Sequence, residues 1–417
     1  MSLVCRNWSE GYGSPSVWKT FRFALTESQL SRKTCPVMKF VRKYSSMFRH
    51  VEIKYLHTFK QSLINTWCQH FTEFLILTNN SQLLSVSFLD LQGCFTHTDP
   101  QTYDDICRAI QNFLASQHHL RRVEFHRCLF RSQECVELMK VLIENNRESL
   151  THLAIRKFLR RKSRDEEQDS IVAQSQFTFM DLPSLKTLET DYSLIFENMF
   201  ARQLDAIKTY ENFQTRVFSK IILYYNSGTT KMEDLRGLTS TDWRLLKELF
   251  PDLQIEFTFR SDSPSRQELE FLIVTNMPIT RLNYVYYDSI SQLLHPSLIE
   301  IDVLFDHLLA CNINDNLVYL HLGWKLPIPD LASTFNPFLL ACNKIEHLQL
   351  CIVYAANGID VLLESWLEIR PESLKKVIIN IFGINDGDVD SLLKNVIAEH
   401  VSRLELVGLN VKVIFHL

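Results

Sequence analysis

Residues of the kind that bind metals gather in "HHLRRVEFHRC", which holds His118, His119, His126 and Cys128, with Cys135 close behind. Zinc favours imidazole and thiolate, but at short, fixed ligand spacings. This spacing fits no compact finger. Alternation along a strand puts His126 and Cys128 on one face, and His118 and His119 need not reach it. The stretch therefore reads as ordinary strand and loop, and no metal is expected. "NSGTTK", ending at Lys231, follows an apolar strand as a phosphate loop would, yet it lacks the second glycine and the Gly-Lys-Ser/Thr ending, and so reads as a turn. Ser163 stands behind three basic residues in "LRRKSRDEEQDS", a setting open to a kinase or to nuclear import, and equally to a solvated loop. No G-x-S-x-G, H-E-x-x-H or glycine-rich dinucleotide loop occurs. Neither catalysis nor a cofactor is expected, which leaves binding.

Binding residues need elements to hold them, and the chain repeats one pattern: apolar, two variable, apolar, one variable, apolar. Thirteen copies run from "FRHVEI" at Phe48 through "LLSVSF", "LRRVEF", "LTHLAI", "LKTLET", "FSKIIL", "FPDLQI", "ITRLNY", "LIEIDV", "LVYLHL", "IEHLQL" and "LKKVII" to "VSRLEL" at Val401. Most starts lie 27 to 37 residues apart. Between them are helical stripes, apolar at i, i+3, i+4, i+7 and i+8: Ile106 to Leu114, Cys135 to Ile143, Ile359 to Leu367 and Val389 to Ile397. A strand with one apolar face and a helix with one apolar stripe cannot bury themselves alone, whereas stacked units bury a continuous core. The expectation is an α/β solenoid, strands on the inner face and helices outside. Its longest break starts at Arg156 with "RKFLRRKSRDEEQDSIVAQSQ" and reads as a mobile insertion.

Bulk properties narrow the class. Of 417 residues, 46% are hydrophobic and 22% charged, as expected of a folded chain. No apolar run is long enough for a membrane helix, and the start lacks the order of a secretory signal. Ten cysteines without a C-x-x-C pair read as free, buried thiols in a reducing compartment, cytoplasmic or nuclear. Lys and Arg outnumber Asp and Glu by 23 to 13 up to Ser163, and the balance reverses to 21 against 35 beyond it. This polarity can orient a protein partner. With a net charge of -4 it makes no overall case for nucleic acid.

The opening "LVCRNWSEGYGSPSVWKTF" carries several kcal/mol of apolar burial that two isolated helical turns cannot collect, so it needs a partner surface. It resembles the closing half of an F-box, with Leu3, Val4, Cys5, Trp8, Val17 and Trp18 on the matching places. The strand pattern is similar to that of the leucine-rich-repeat family, although the Asn or Cys that usually follows is clearly matched only by Cys128. "FVRKYSSMFRHVEIKY", "DWRLLKELFPDLQIEFTF" and "NMPITRLNYVYY" look similar to stretches of a vertebrate F-box protein. The resemblance implies residues 1–23 as the helical remnant of an F-box and residues 24–417 as an irregular leucine-rich-repeat horseshoe. The L-P-x-E-type front half has no counterpart here, so a truncated F-box is expected.

What the resemblance implies for function is a substrate-recognition subunit of an SCF ubiquitin ligase. The opening would bind Skp1, and through it a cullin-RING ligase, while the repeats hold a target protein; membrane and nucleic-acid partners are not expected. The alternative is a leucine-rich-repeat scaffold outside any ligase. On a concave sheet the target would meet the variable strand positions, among them Arg122, Glu124, His126, Arg156, Glu300, Asp302, Tyr319, His321, His347 and Gln349. Lys54, His152, Glu189, Asp191, Asp252 and Glu256 are expected on the same face.

Overall fold

The computed structural model describes residues 18–160, 182–192, 217–229, 232, 235, 237–286, 300–326, 328–353, 358–382 and 391–416. The chain forms two compact units. The first takes the described residues through Asp191 with 217–218, and the second takes Tyr192 and those from Ser219 onward.

In the first unit six strands run parallel in chain order: β1 (Thr20–Phe23), β2 (His50–Lys54), β3 (Ser85–Leu89), β4 (Arg122–His126), β5 (His152–Arg156) and β6 (Thr187–Asp191). Parallel neighbours cannot be joined by a tight turn, and each needs a crossover. Here the crossovers carry α1 (Pro36–Tyr44), α2 (Gln61–Thr78), α3 (Pro100–Ala115) and α4 (Ser132–Asn146). Asp99 starts α3 by accepting the Thr102 backbone N–H at 2.9 Å, with Pro100 at the first helical position.

Alternation decides which side of each strand is buried. Val51, Val86, Val123, Leu153 and Leu188 align across the sheet as one inward row, and Ile53, Phe88, Phe125, Ile155 and Thr190 as the next. Each large apolar side chain so buried is worth roughly 1.5–3 kcal/mol. The helices close the core from the other side: Phe23 packs on Trp67, Phe71 and Phe74 of α2, and Phe88 stands edge-on to Phe113 of α3.

The second unit repeats the plan with seven parallel strands: β7 (Lys220–Asn226), β8 (Gln254–Ser261), β9 (Ile279–Tyr286), β10 (Tyr319–Trp324), β11 (His347–Val353), β12 (Lys376–Phe382) and β13 (Asn410–Phe415). Its helices are α5 (Ser240–Leu249), α6 (Arg266–Leu272), α7 (Ile301–Ala310), α8 (Leu331–Ala341), α9 (Ile359–Glu368) and α10 (Ser391–Leu406). Both units are thus α/β, repeat-built and parallel.

Eleven of the thirteen expected strand copies are strands, and two are not. "LIEIDV" enters α7, where Ile301, Leu304, Phe305 and Leu308 are buried at helical spacing and Phe305 stacks on Phe338 of α8 at 4.4 Å. "VSRLEL" lies within α10, and the strand comes after it at Asn410–Phe415. An apolar pair at i and i+3 belongs to either element, and in both places the longer helical stripe prevails. β1 was not among the thirteen.

Cys128 is fully buried behind β4 and donates its thiol to the Phe88 carbonyl at 3.4 Å. Among the described residues eight cysteines are buried and free, and Cys351 is half-buried and free. Of the stretch from Arg156, the residues after Arg160 up to position 181, Ser163 included, lie outside the described residues, as does Lys231 of "NSGTTK". Among the described residues no helix is long and apolar enough to cross a membrane.

Candidate binding faces of the sheets

With one face of each sheet on the core, the other presents the variable strand positions. In the first unit the register aligns His50, Ser85, Arg122, His152 and Thr187 in one row, and Arg22, Glu52, Ser87, Glu124, Ala154 and Glu189 in the next. Lys54, Leu89, His126 and Arg156 make a third.

Glu124 is the hub of this face. It accepts the Ser87 hydroxyl at 2.6 Å and pairs with the Arg122 guanidinium, while His126 and His152 stand 3.8 and 3.6 Å away. Burial pushes the Glu124 carboxyl upward, but the Ser87 hydroxyl and the Arg122 charge outweigh it and hold it below the usual carboxylate range. Burial pulls the His126 imidazole below its usual range, against the opposite pull of Glu189 and Glu124. Arg156 reaches Glu189 at 3.6 Å, and Arg22 reaches Glu52 at 2.7 Å. The sequence-predicted group Arg122, Glu124, His126 and Arg156 therefore shares one face.

The second unit has a different face. Its rows run Glu256, Arg281, Tyr319, His347, Lys376 and Asn410, then Thr258, Asn283, His321, Gln349, Ile378 and Lys412. Glu256 bridges Lys220 at 2.9 Å and Arg281 at 3.3 Å. The Arg281 guanidinium lies over the Tyr319 ring, 4.3 Å from its centre, and Tyr319 donates its hydroxyl to Gln349 at 3.1 Å. His321 Nε2 stands 3.4 Å from Cys351 Sγ, Asn380 donates to the same sulfur at 3.5 Å, and His416 Nε2 lies 3.0 Å from Asn380 Oδ1. Phe382 stacks on His416 with ring centres 4.4 Å apart while staying 43% exposed. Burial lowers the affinity of the His321 imidazole for a proton. The result is an aromatic and amide surface in which each side chain is oriented by its neighbour, an arrangement suited to protein contacts.

Tyr319, His321, His347 and Gln349 are brought together as the sequence suggested. Glu300 and Asp302 are not: they cap and open α7, where negative charge at a helix start is favourable. Asp252 sits in the turn before β8 rather than on the sheet. Arg281, Cys351, Asn380, Phe382 and His416 were missed, since their contacts join strands far apart in sequence. Alternation about the central residues of β9, β11 and β12 was the available signal.

Of the six opening residues, Leu3, Val4, Cys5, Trp8 and Val17 lie outside the described residues. Trp18 is half-buried and packs on α1, edge-on to Phe40 at 4.6 Å and stacked on Tyr44 at 5.6 Å. Thr20–Phe23, directly behind it, is a sheet strand. Cys128 and Cys135 direct their thiols at backbone carbonyls, and no three metal-type ligands converge among the described residues. The chain matches no known protein-family model and no curated protein sequence.

Proposed function

We propose that this chain is a protein-recognition subunit without catalysis of its own, in which the repeats form an irregular leucine-rich-repeat horseshoe and the polar sheet faces line its concave side. The observation that carries the proposal is the aromatic and amide surface of the second unit, from Arg281 over Tyr319 to Gln349. Aromatic side chains with few rotatable bonds, held in place by neighbours, bind a protein partner at low entropic cost. The F-box likeness of the opening extends the proposal to an SCF ubiquitin ligase: Skp1 would tether the N-terminal end, and the sheet would raise the effective concentration of a target's lysines near the ubiquitin-charged enzyme.

The scaffold alternative is favoured by one observation, the packing of Trp18 on Phe40 and Tyr44, which suits an N-terminal cap on the repeats. Proximity labelling in cells separates the two readings. Partners of a ligase receptor accumulate on the chain carrying an L-P-x-E-type front half ahead of Ser2 when cullin activation is blocked, and lose their labelling with Tyr319→Ala. Partners of a scaffold do not respond to the block. Labelling that ignores both the block and the substitution contradicts a recognition role for this face.

A further inference from the structure

The residue immediately before each strand of the first unit occupies the same register position. Lys19, Arg49, Leu84, Arg121, Thr151 and Lys186 are joined in turn by backbone bonds, Arg49 N–H to Lys19 O, Leu84 to Arg49, Arg121 to Leu84, Thr151 to Arg121 and Lys186 to Thr151, all at 2.7 to 2.9 Å. Four of these six side chains are cationic, and among the described residues none of the four makes an ion pair. In the second unit the matching positions include Leu253, Val318, Glu346, Lys375 and Leu409; of these only Lys375 is cationic, and it pairs with Glu346 at 2.7 Å.

Arg49 and Arg121 stand on either side of Leu84, in a cleft of about 260 Å³ that also takes in His119, Ser149 and Gln82. No carboxylate lines it. Arg121, His119, Lys19 and Lys186 are exposed, and Arg49 is half-buried, its guanidinium donating to the Phe48 carbonyl at 2.9 Å. Like charges stay this close without counter-ions at a cost in self-repulsion, which an anionic ligand relieves.

We infer that this edge binds an acidic, extended segment of a protein partner, with carboxylates set three residues apart. Neighbouring strands are roughly 4.8 Å apart, so Arg49 to Arg121 and Arg121 to Lys186 each span two strands, about 10 Å. A peptide in the extended polyproline II conformation advances about 3.1 Å per residue with about three residues per turn, so every third side chain points the same way and meets the next cation. Guanidinium forks hold carboxylates in paired hydrogen bonds. Single-stranded nucleic acid is less favoured by the same walls, since His119 is the one ring among the lining residues and no Phe, Tyr or Trp is there to stack a base. The site lies along the strand ends, apart from the sheet faces, and stands whether or not Skp1 binds.

The test uses a fluorescent decapeptide with Glu at every third position, its Gln twin and a single-stranded RNA of equal charge, each titrated by anisotropy against the purified chain at low and high salt. Binding of the Glu peptide is expected to exceed that of the Gln twin by at least about tenfold, to weaken with salt, and to fall about tenfold in R49Q/R121Q while R108Q leaves it unchanged. R49K/R121K retains most of the binding because the charge remains, which guards against a folding defect in the Gln pair. Equal binding of the twin, full binding by R49Q/R121Q, loss in R49K/R121K as deep as in the Gln pair, or RNA held more tightly than the Glu peptide would each overturn the inference.

Discussion

Glu268 is the most instructive single side chain. It is 5% exposed, accepts Tyr225 Oη at 2.6 Å and Ser261 Oγ at 2.8 Å, and is held above the usual carboxylate range by burial. The folded state therefore binds the proton more tightly than the unfolded one. This contribution to stability is complete below the ordinary glutamate value and is lost as pH rises from there through the raised folded value. Urea unfolding from pH 4 to 8 should show the wild type losing ground against Glu268→Gln, by up to about 1.4 kcal/mol per pH unit inside that window. Asn146 is the other residue whose two ends both matter. It is 1% exposed, donates to Gln117 O at 2.9 Å and accepts Leu120 N–H at 2.9 Å. Asn146→Ala orphans both backbone groups and should cost about 2–4 kcal/mol in denaturant unfolding.

At the scale of elements, the helix-to-strand joints carry a polar ladder of their own. Thr78 closes α2, Gln117 follows α3, and Asn146 ends α4. Gln117 accepts Leu83 N–H at 3.3 Å and donates to Thr78 O at 3.4 Å. These buried side chains tie one repeat to the next ahead of the strand that follows, whereas Cys128 does so from behind its strand. The joint after α10 works differently: Gly408 adopts φ +85° with nothing within 4 Å of an added Cβ. Gly408→Ala should therefore cost about 1 kcal/mol, read as a lowered Tm, from backbone conformation alone. The same joint shows why sequence reading failed there. Val401 and Leu404 satisfy the strand spacing and the helical one alike, and only the glycine, followed by alternating Leu409, Val411 and Val413, marks the true strand. By contrast, the isolated repeats from Phe48 to Ile155 were legible because alternation and stripe never compete. Tyr319 and Gln349 were legible as alternate positions on their strands. Their link to Arg281, and that of His321 to Cys351, Asn380 and His416, was not, because crossover lengths set the register and no local pattern encodes it.

For the molecule as a whole, two kinds of surface follow from one repeat. The sheet faces display paired charges in the first unit and oriented aromatics in the second, while the strand-end row of the first unit concentrates cations. Along the sequence basic residues are in excess before Ser163 and acidic ones after it, a polarity that can orient a protein partner and that salt should weaken. On the second face, Tyr319→Ala removes the ring under Arg281 and the hydroxyl on Gln349, and should weaken a bound target by about 2 kcal/mol or more in a direct titration.

The central claim is a recognition surface tethered through an F-box, and Skp1 binding tests it most directly. Purified Skp1 would be titrated against the chain as it stands and against the chain with an L-P-x-E-type front half placed ahead of Ser2. The account predicts that the completed form binds, that Trp18→Ala in that form weakens binding at least about tenfold, and that Tyr319→Ala does not. A completed form that leaves Skp1 unbound would contradict the ligase assignment and leave Leu3 to Trp18 as a cap on a protein-binding scaffold.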